Sequence, residues 1–380
     1  MPYESPWMND ELRMFRKTVR RFVQEEFLPQ QARWRQQHRP DADAWTGAGA
    51  AGLLLTDIPE EYGGGAGTIA HEAVMAEELA QAGVHFASLN QSIVAHYILA
   101  YGSEEQKKNW LPRMASGELV GAISMTEAGA GSDLQAIKTT ATRDGSEYVI
   151  NGSKTFVTNG WHASIVALAV KTDPKATGPR GISLLIVEPK NLPGYSVGPP
   201  LDKVGMNTQD TCELFFDSVR VPASSLLGAS EGKGMSQMMA QLSYERLMIA
   251  TASIATAEHA VNITTKYAKE RTAFGGPLIE LQHVRFKLAE CKTEAHIGRI
   301  FVDYCIQEFI AGRLDAATAA MAKYSLTDCE GRILDECVQL HGGYGYMTEY
   351  PIARMWTDSR VRRIYAGSNE IMKELIGWSL

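Results

Sequence analysis

Residues 144–160 read DGSEYVINGSKTFVTNG. Asp144-Gly145 and Asn151-Gly152 are two-residue turn signals, because glycine accepts the positive φ that a tight hairpin needs. They bracket Glu147 to Ile150, and Ser153 to Thr158 follows. Further out, Ser164 to Val170, Ile182 to Val187, Cys212 to Phe216 and Val219 to Val221 are short, β-branched and apolar. So many short strands between Gly121 and about Gly228 predict a small antiparallel barrel or sandwich.

On either side the periodicity changes to that of helices. Leu12 to Leu28 is amphipathic and stopped by Pro29, and Glu72 to Ala82 and Ser92 to Tyr101 follow. Ser103 then precedes two acids, a capped helix start. PEEYGGGAG (Pro59 to Gly67) is a loop by its glycines. After Gly234, Met238, Leu242, Glu245, Ile249 and Ala252 step by four and three, and Val284 to Cys305 does the same. That is the spacing of packed bundle helices. A third helix is expected over Ala316 to about Leu340, and a short one from Ser368 or Asn369. The expected fold class is α+β. It comprises an N-terminal α-helical domain (1–120), a middle small antiparallel β-barrel or sandwich (121–232) and a C-terminal four-helix bundle (233–380).

Composition narrows the function. The chain of 380 residues carries a net charge of −7 and no long basic tract, which argues against nucleic acid as a partner. It has no run of eighteen apolar residues, so no membrane span is expected. The N-terminal segment turns amphipathic at once, without the apolar core of a signal peptide. Five cysteines, none in CxxC spacing, read as reduced thiols, and a cytoplasmic location is expected. The nine histidines show no HExxH-like pairing, so no metal site is expected. No GxGxxG follows a strand, and Gly232-Lys233 lacks the Ser or Thr and the first glycine of a P-loop. Any dinucleotide is held another way.

Glu245 is the most informative single residue, because it falls on the apolar stripe of its helix. A carboxylate facing a core costs several kcal/mol unless it is paired or protonated. Two readings stay open on periodicity alone: a structural buried ion pair, or a general base whose pKa burial raises toward neutral. Arg246 is adjacent, but side chains at i and i+1 diverge on a helix, so it is a poor partner. EAGAGSD (Glu127 to Asp133) and HGGYGYMTEYP (His341 to Pro351) are glycine-dense loops that fit a plain turn or cap as well as a ligand contact.

Taken together, MTEAGAGSD (Met125 to Asp133), INGSKTFVTNG (Ile150 to Gly160), ERTAFGGPLIELQ (Glu270 to Gln282), QLHGGYGYMTEYP (Gln339 to Pro351) and IYAGSNEIMKELI (Ile364 to Ile376) resemble segments of the acyl-CoA dehydrogenase family. PEEYGG fits as well, and the likeness runs in order from about Leu12 to the C-terminus. One departure matters. Most members carry their catalytic Glu in a Tyr-Glu-Gly-Thr segment, where this chain has Tyr365-Ala366-Gly367-Ser368. A smaller branch, including long-chain and isovaleryl enzymes, places the base on a bundle helix in a Glu-Arg-Leu context, which Glu245-Arg246-Leu247 matches. TCELFF, LDAATAAMAKY and SNEIMKEL look closest to the long-chain branch.

The resemblance implies FAD and an acyl-CoA substrate. Glu245 would remove the α-proton while flavin N5 takes the β-hydride, leaving a trans-2-enoyl-CoA, with electrons passing to an electron-transfer flavoprotein. It implies that Met125, Thr126, Ser132, Phe156 and Thr158 line the flavin or thioester, Phe156 replacing a Trp common in the family. Arg271, Phe274, Gln282, Gln339, Gly342 and Gly343 would meet FAD across a subunit interface in a homotetramer, with Ser368 and Glu370 at its adenine end. Ser132, Tyr244, Arg246, Ala366 and Gly367 would meet substrate, the Ala366 N–H polarising the thioester carbonyl. A roomier pocket beside Ala366 would admit long or branched acyl chains. The rivals are a flavin monooxygenase or acyl-CoA oxidase of the same fold, and a non-enzymatic helical binding protein that would hold no flavin.

Overall fold

The computed structural model describes residues 3–176, 178–228 and 230–380. Helices α1 (Asp10–Phe22), α2 (Gln31–Gln37), α3 (Asp43–Ala50), α4 (Ile69–Ala82), α5 (Ser88–Tyr101) and α6 (Glu104–Ala115) form the first layer. The expected Leu12–Leu28 helix stops being regular at Phe22, passes through a wider turn over Val23–Phe27, and tightens at Leu28–Gln30 around Pro29. Pro29 lacks the N–H that would continue the α ladder. Ser103 caps α6 in a full capping box with Gln106.

The middle region holds β1 (Gly121–Ser124), β2 (Thr140–Asp144), β3 (Glu147–Thr158), β4 (Ile165–Lys171), β5 (Ile182–Val187), β6 (Tyr195–Val197) and β7 (Thr211–Pro222). Their order is β1-β4-β2-β3-β7-β6, with β5 also on β4. The sheet is mixed rather than antiparallel throughout: β1 runs parallel to β4, Gly121 facing Ile165. The β2–β3 hairpin lies between them in sequence and supplies the crossover that a parallel pair requires. Asn151-Gly152 is not a turn. It is a bulge inside the single strand β3, where the register with β7 shifts between Ile150 and Gly152. Gly152 sits at φ +143°. Cys212–Phe216 and Val219–Val221 likewise fuse into β7, and Asn151 Oδ1 accepts the Ser218 N–H at 2.8 Å.

The long helices α7 (Gly234–Glu270), α8 (Gln282–Ile310) and α9 (Ala316–His341) pack together. A hairpin of β8 (Thr272–Ala273) and β9 (Gly276–Pro277) joins the first two. Helix α10 (Pro351–Ser359), which periodicity missed, and α11 (Asn369–Gly377) both lie on α9. One large apolar core runs from α1 through α4 and α5 into α7, α8 and α9, and a second fills the β region. All five cysteines are buried and unbridged. Among the described residues, no helix is long and apolar enough to cross a membrane.

Candidate functional site

The layer of α4 and α5 packs against α7, which places Glu245 in the interior. Burial pushes its carboxyl up to about 7, against the opposing pull of the Tyr97 hydroxyl, Arg246 and His96. The Tyr97 hydroxyl, from α5, donates to Glu245 Oε1 at 3.3 Å. Glu245 and Arg246 form no ion pair among the described residues, as i,i+1 geometry requires. The Arg246 guanidinium instead turns to the loop before α11, with Nε 3.5 Å from the Ala366 carbonyl. That loop is left-handed at two successive residues, Ala366 at φ +52° and Gly367 at φ +91°. The structure therefore brings Arg246, Ala366 and Gly367 together, while the neighbouring Glu245 carboxyl turns to Tyr97 on α5.

A mainly apolar pocket lies between α4, the start of α5 and α7. Met248 and Ile249, one turn beyond Glu245, line it with Leu79, Val84, Phe86 and Leu89. A polar cluster that the motifs did not reveal lies nearby. Glu72 accepts from Thr56 Oγ1 at 2.6 Å and Ser92 Oγ at 3.0 Å, and burial, then Asp57, push it up to about 7. His96 bonds Asp57 at 3.0 Å and lies against the buried Tyr244 ring, centroids 4.2 Å apart.

Met125 and Thr126 leave β1 and pair with the second half of β3. The Lys154 ammonium donates to the Met125 carbonyl and to Glu127 Oε1, both at 2.9 Å, and the Thr155 N–H meets the Thr126 carbonyl at 2.9 Å. A second register shift follows Lys154, and Phe156 turns outward there at φ +57°, with 67% of its surface exposed. Thr158 is half-buried beside it. Ser132 lies exposed on its loop, apart from any described hydrogen bond. Ser368 caps α11, and Glu370 is exposed in that helix's first turn.

The remaining expected residues gather elsewhere. Arg271, Gln339, Gly342 and Gly343 line an open cleft of about 520 Å³ with Tyr267, His341 and Tyr344. The Arg271 guanidinium lies 5.7 Å from the Tyr344 ring centre, within reach of a cation–π contact. A Cβ added at Gly342 or Gly343 would meet nothing within 4 Å, so that backbone edge is open to a ligand. Phe274 stands 95% exposed at the tip of the β8–β9 hairpin, and Gln282 opens α8. One chain thus presents two separate surfaces of expected flavin residues. Among the described residues no cluster could hold a metal ion.

Sequence profiles for the N-terminal, middle and C-terminal domains of acyl-CoA dehydrogenases match residues 9–118, 122–219 and 232–380. The chain belongs to the acyl-CoA dehydrogenase family. It is 47% identical to the mitochondrial long-chain specific acyl-CoA dehydrogenase of Sus scrofa over 367 residues, covering 96% of this chain and 85% of that protein. An acyl-CoA dehydrogenase from Geobacillus kaustophilus superposes with a TM-score of 0.96 at 45% identity, covering 99% of each chain. A glutaryl-CoA dehydrogenase from Mycobacterium smegmatis, solved in complex with FADH2, superposes at 0.91 with 27% identity, covering 98% of this chain and 95% of that one. Acyl-CoA dehydrogenases are FAD enzymes. The outward Phe156, the pinned Met125–Thr126 loop and the open Gly342–Gly343 edge fit that cofactor.

Tyr97, Glu72, His96 and Lys323 are the site-side residues that sequence reasoning passed over. Lys323 had a signal: Ala319, Lys323, Leu326, Glu330 and Ile333 step by four and three, as the Glu245 stripe does.

Proposed function

We propose that the protein oxidises an acyl-CoA thioester to its trans-2-enoyl-CoA, with Glu245 as the base. The observation that carries this is Glu245 itself. It is a buried carboxyl held near neutral pKa by burial, one helical turn from Met248 and Ile249 of the apolar pocket, and its neighbour Arg246 reaches the left-handed Ala366–Gly367 turn. FAD supplies the hydride acceptor for the β-carbon. The thioester carbonyl lies at the Ala366 N–H, whose hydrogen bond strengthens as negative charge develops on the oxygen. Glu245 would take the α-proton of the bound thioester as general base. The Tyr97 hydroxyl orients the carboxylate. The acyl chain follows the pocket past Met248 and Ile249, and its apolar walls exclude water. The long-chain branch is the assignment that Glu245-Arg246-Leu247 supports, and the small Ala366 leaves room for long or branched chains.

In the same reading Met125, Thr126, Ser132, Phe156 and Thr158 hold the flavin in one chain. Arg271, Phe274, Gln282, Gln339, Gly342 and Gly343 reach the flavin of a second copy, in a cytoplasmic homotetramer that passes electrons to an electron-transfer flavoprotein. Two flavin surfaces on one chain support that sharing. Anaerobic mixing of the purified flavoprotein with long-chain acyl-CoA should bleach the flavin without any nicotinamide. Flavin that requires NADH for reduction would point to a monooxygenase. Rapid reaction of the reduced flavin with oxygen would point to an oxidase.

A further inference from the structure

Lys323 is fully buried on α9, yet it forms no salt bridge among the described residues. Its ammonium donates to the Gly367 carbonyl at 2.7 Å and to Asn369 Oδ1 at 2.9 Å. Asn369 is fixed in turn, its amide donating to Thr327 Oγ1 and Asp328 Oδ1, both at 3.0 Å. A buried ammonium without a carboxylate is costly, and an apolar side chain of similar size would pack there more cheaply. Arg246 is a second buried cation without an ion pair, and it reaches the adjacent carbonyl, that of Ala366. Both cations therefore grip one turn, and that turn is strained. A non-glycine residue in the left-handed region is disfavoured, because its Cβ crowds the following carbonyl oxygen.

We infer that Lys323 is a positioning residue for the proposed dehydrogenation. With Arg246 it holds the Ala366–Gly367 turn in its left-handed form and keeps positive charge behind the thioester oxygen. Resting on the acyl-CoA reading above, this accounts for two otherwise unexplained buried cations. Negative charge leaves Glu245 when it takes the α-proton and appears on the thioester oxygen. A fixed positive field there costs no reorganisation during the reaction. Burial and then Arg246 push the Lys323 ammonium down to about 8, with Asp328 and Glu370 opposing, so it remains charged at neutral pH.

The test uses the holoenzyme and a 3-oxoacyl-CoA, whose acidic α-proton makes it ionise when bound. The pH at which the bound enolate absorbs is measured for wild type, Lys323→Met and Lys323→Gln, with kcat and KM for a long-chain acyl-CoA. Lys323→Met should raise that pH by about one unit or more. It should lower kcat ~10–100-fold with KM changed less than about threefold. Lys323→Gln keeps a donor for Gly367 but not the charge, and should fall between. It also carries the test if Lys323→Met does not fold. Variants that ionise the ligand at the wild-type pH with wild-type kcat overturn the inference, as does a loss of stability with the ionisation pH unmoved. A wild type whose flavin stays oxidised with every acyl-CoA offered overturns the functional reading itself, and is thereby told apart.

Discussion

Glu245 is a liability to the fold at the pH where it would work. Its folded-state pKa of about 7 lies above the ordinary carboxyl value of 4.5. The folded protein therefore binds its proton more tightly than the unfolded chain. Stability is intact below the unfolded value, declines as pH rises toward the folded value, and stays reduced above it. Glu245→Gln should abolish turnover, by ~10²–10⁴-fold at least, while flavin and acyl-CoA still bind. It should also stabilise the protein by ~2–3 kcal/mol near pH 8 and very little near pH 5. Denaturant melts at the two values check the second claim, and retained kcat would move the base elsewhere. In wild type, kcat/KM should rise with pH through about 7 as the carboxyl ionises. Ala366 is the complementary case. Ala366→Gly keeps the N–H and relieves ~1–2 kcal/mol of left-handed strain, against ~0.5–1 kcal/mol of added unfolded-state entropy. A net gain of ~0.5 kcal/mol in a chemical melt is expected. At this scale the apolar-stripe test found Glu245, and the same test applied to α9 finds Lys323. Tyr97 and Glu72 stayed hidden because each reaches the site across an interhelical contact, which no local pattern records.

At the scale of elements, α7, α8 and α9 were legible because their apolar spacing persists over many turns. The strands were legible as segments but not in their joins. Asn151-Gly152 signals a tight turn when read locally, and Asp217-Ser218 reads as a gap between two strands, yet Asn151-Gly152 and Ser218 face each other as irregularities in one long antiparallel pair. What distinguishes a bulge from a hairpin is the partner strand, some 65 residues away in sequence. The consequence is useful, since the two bulges re-aim β3. The first admits Gly152 beside Thr139, and the second turns Phe156 outward. A Cβ at residue 152 would sit 2.7 Å from the Thr139 Cα, at φ +143° that no L side chain favours. Gly152→Ala should thus cost more than ~2 kcal/mol, beyond the usual value for a surface substitution. It should also weaken flavin retention, because Phe156 lies four residues along the same strand. Thermal melts and the ratio of visible to ultraviolet absorbance measure both, and a wild-type ratio with wild-type stability would show that the bulge tolerates a side chain.

For the molecule as a whole, the order helices, strands, helices was readable from texture, whereas the arrangement of the flavin residues came only through the family resemblance. Nothing in the spacing of Arg271, Gln339 and Gly342 says that they share a cleft; the packing of the α7 end against the α9 end does. None of the residues lining that cleft belongs to the Phe156 surface, and Phe274 stands almost wholly uncovered at the tip of the β8–β9 hairpin. A large aromatic ring held out on a hairpin, in a left-handed conformation, gains nothing in a lone chain. Its position makes sense if a second copy buries it, so flavin binding and assembly should be thermodynamically linked: each stabilises the state the other needs. Arg271→Ala removes the cleft's cation and its contact with Tyr344. It should weaken flavin retention at least tenfold and shift the protein toward smaller species at micromolar concentration. Added FAD should reverse that shift in part. Sedimentation velocity with and without excess FAD decides it. A variant that remains a full tetramer with full flavin, or a wild type that is a monomer with one tightly held flavin, would place the cofactor within a single chain.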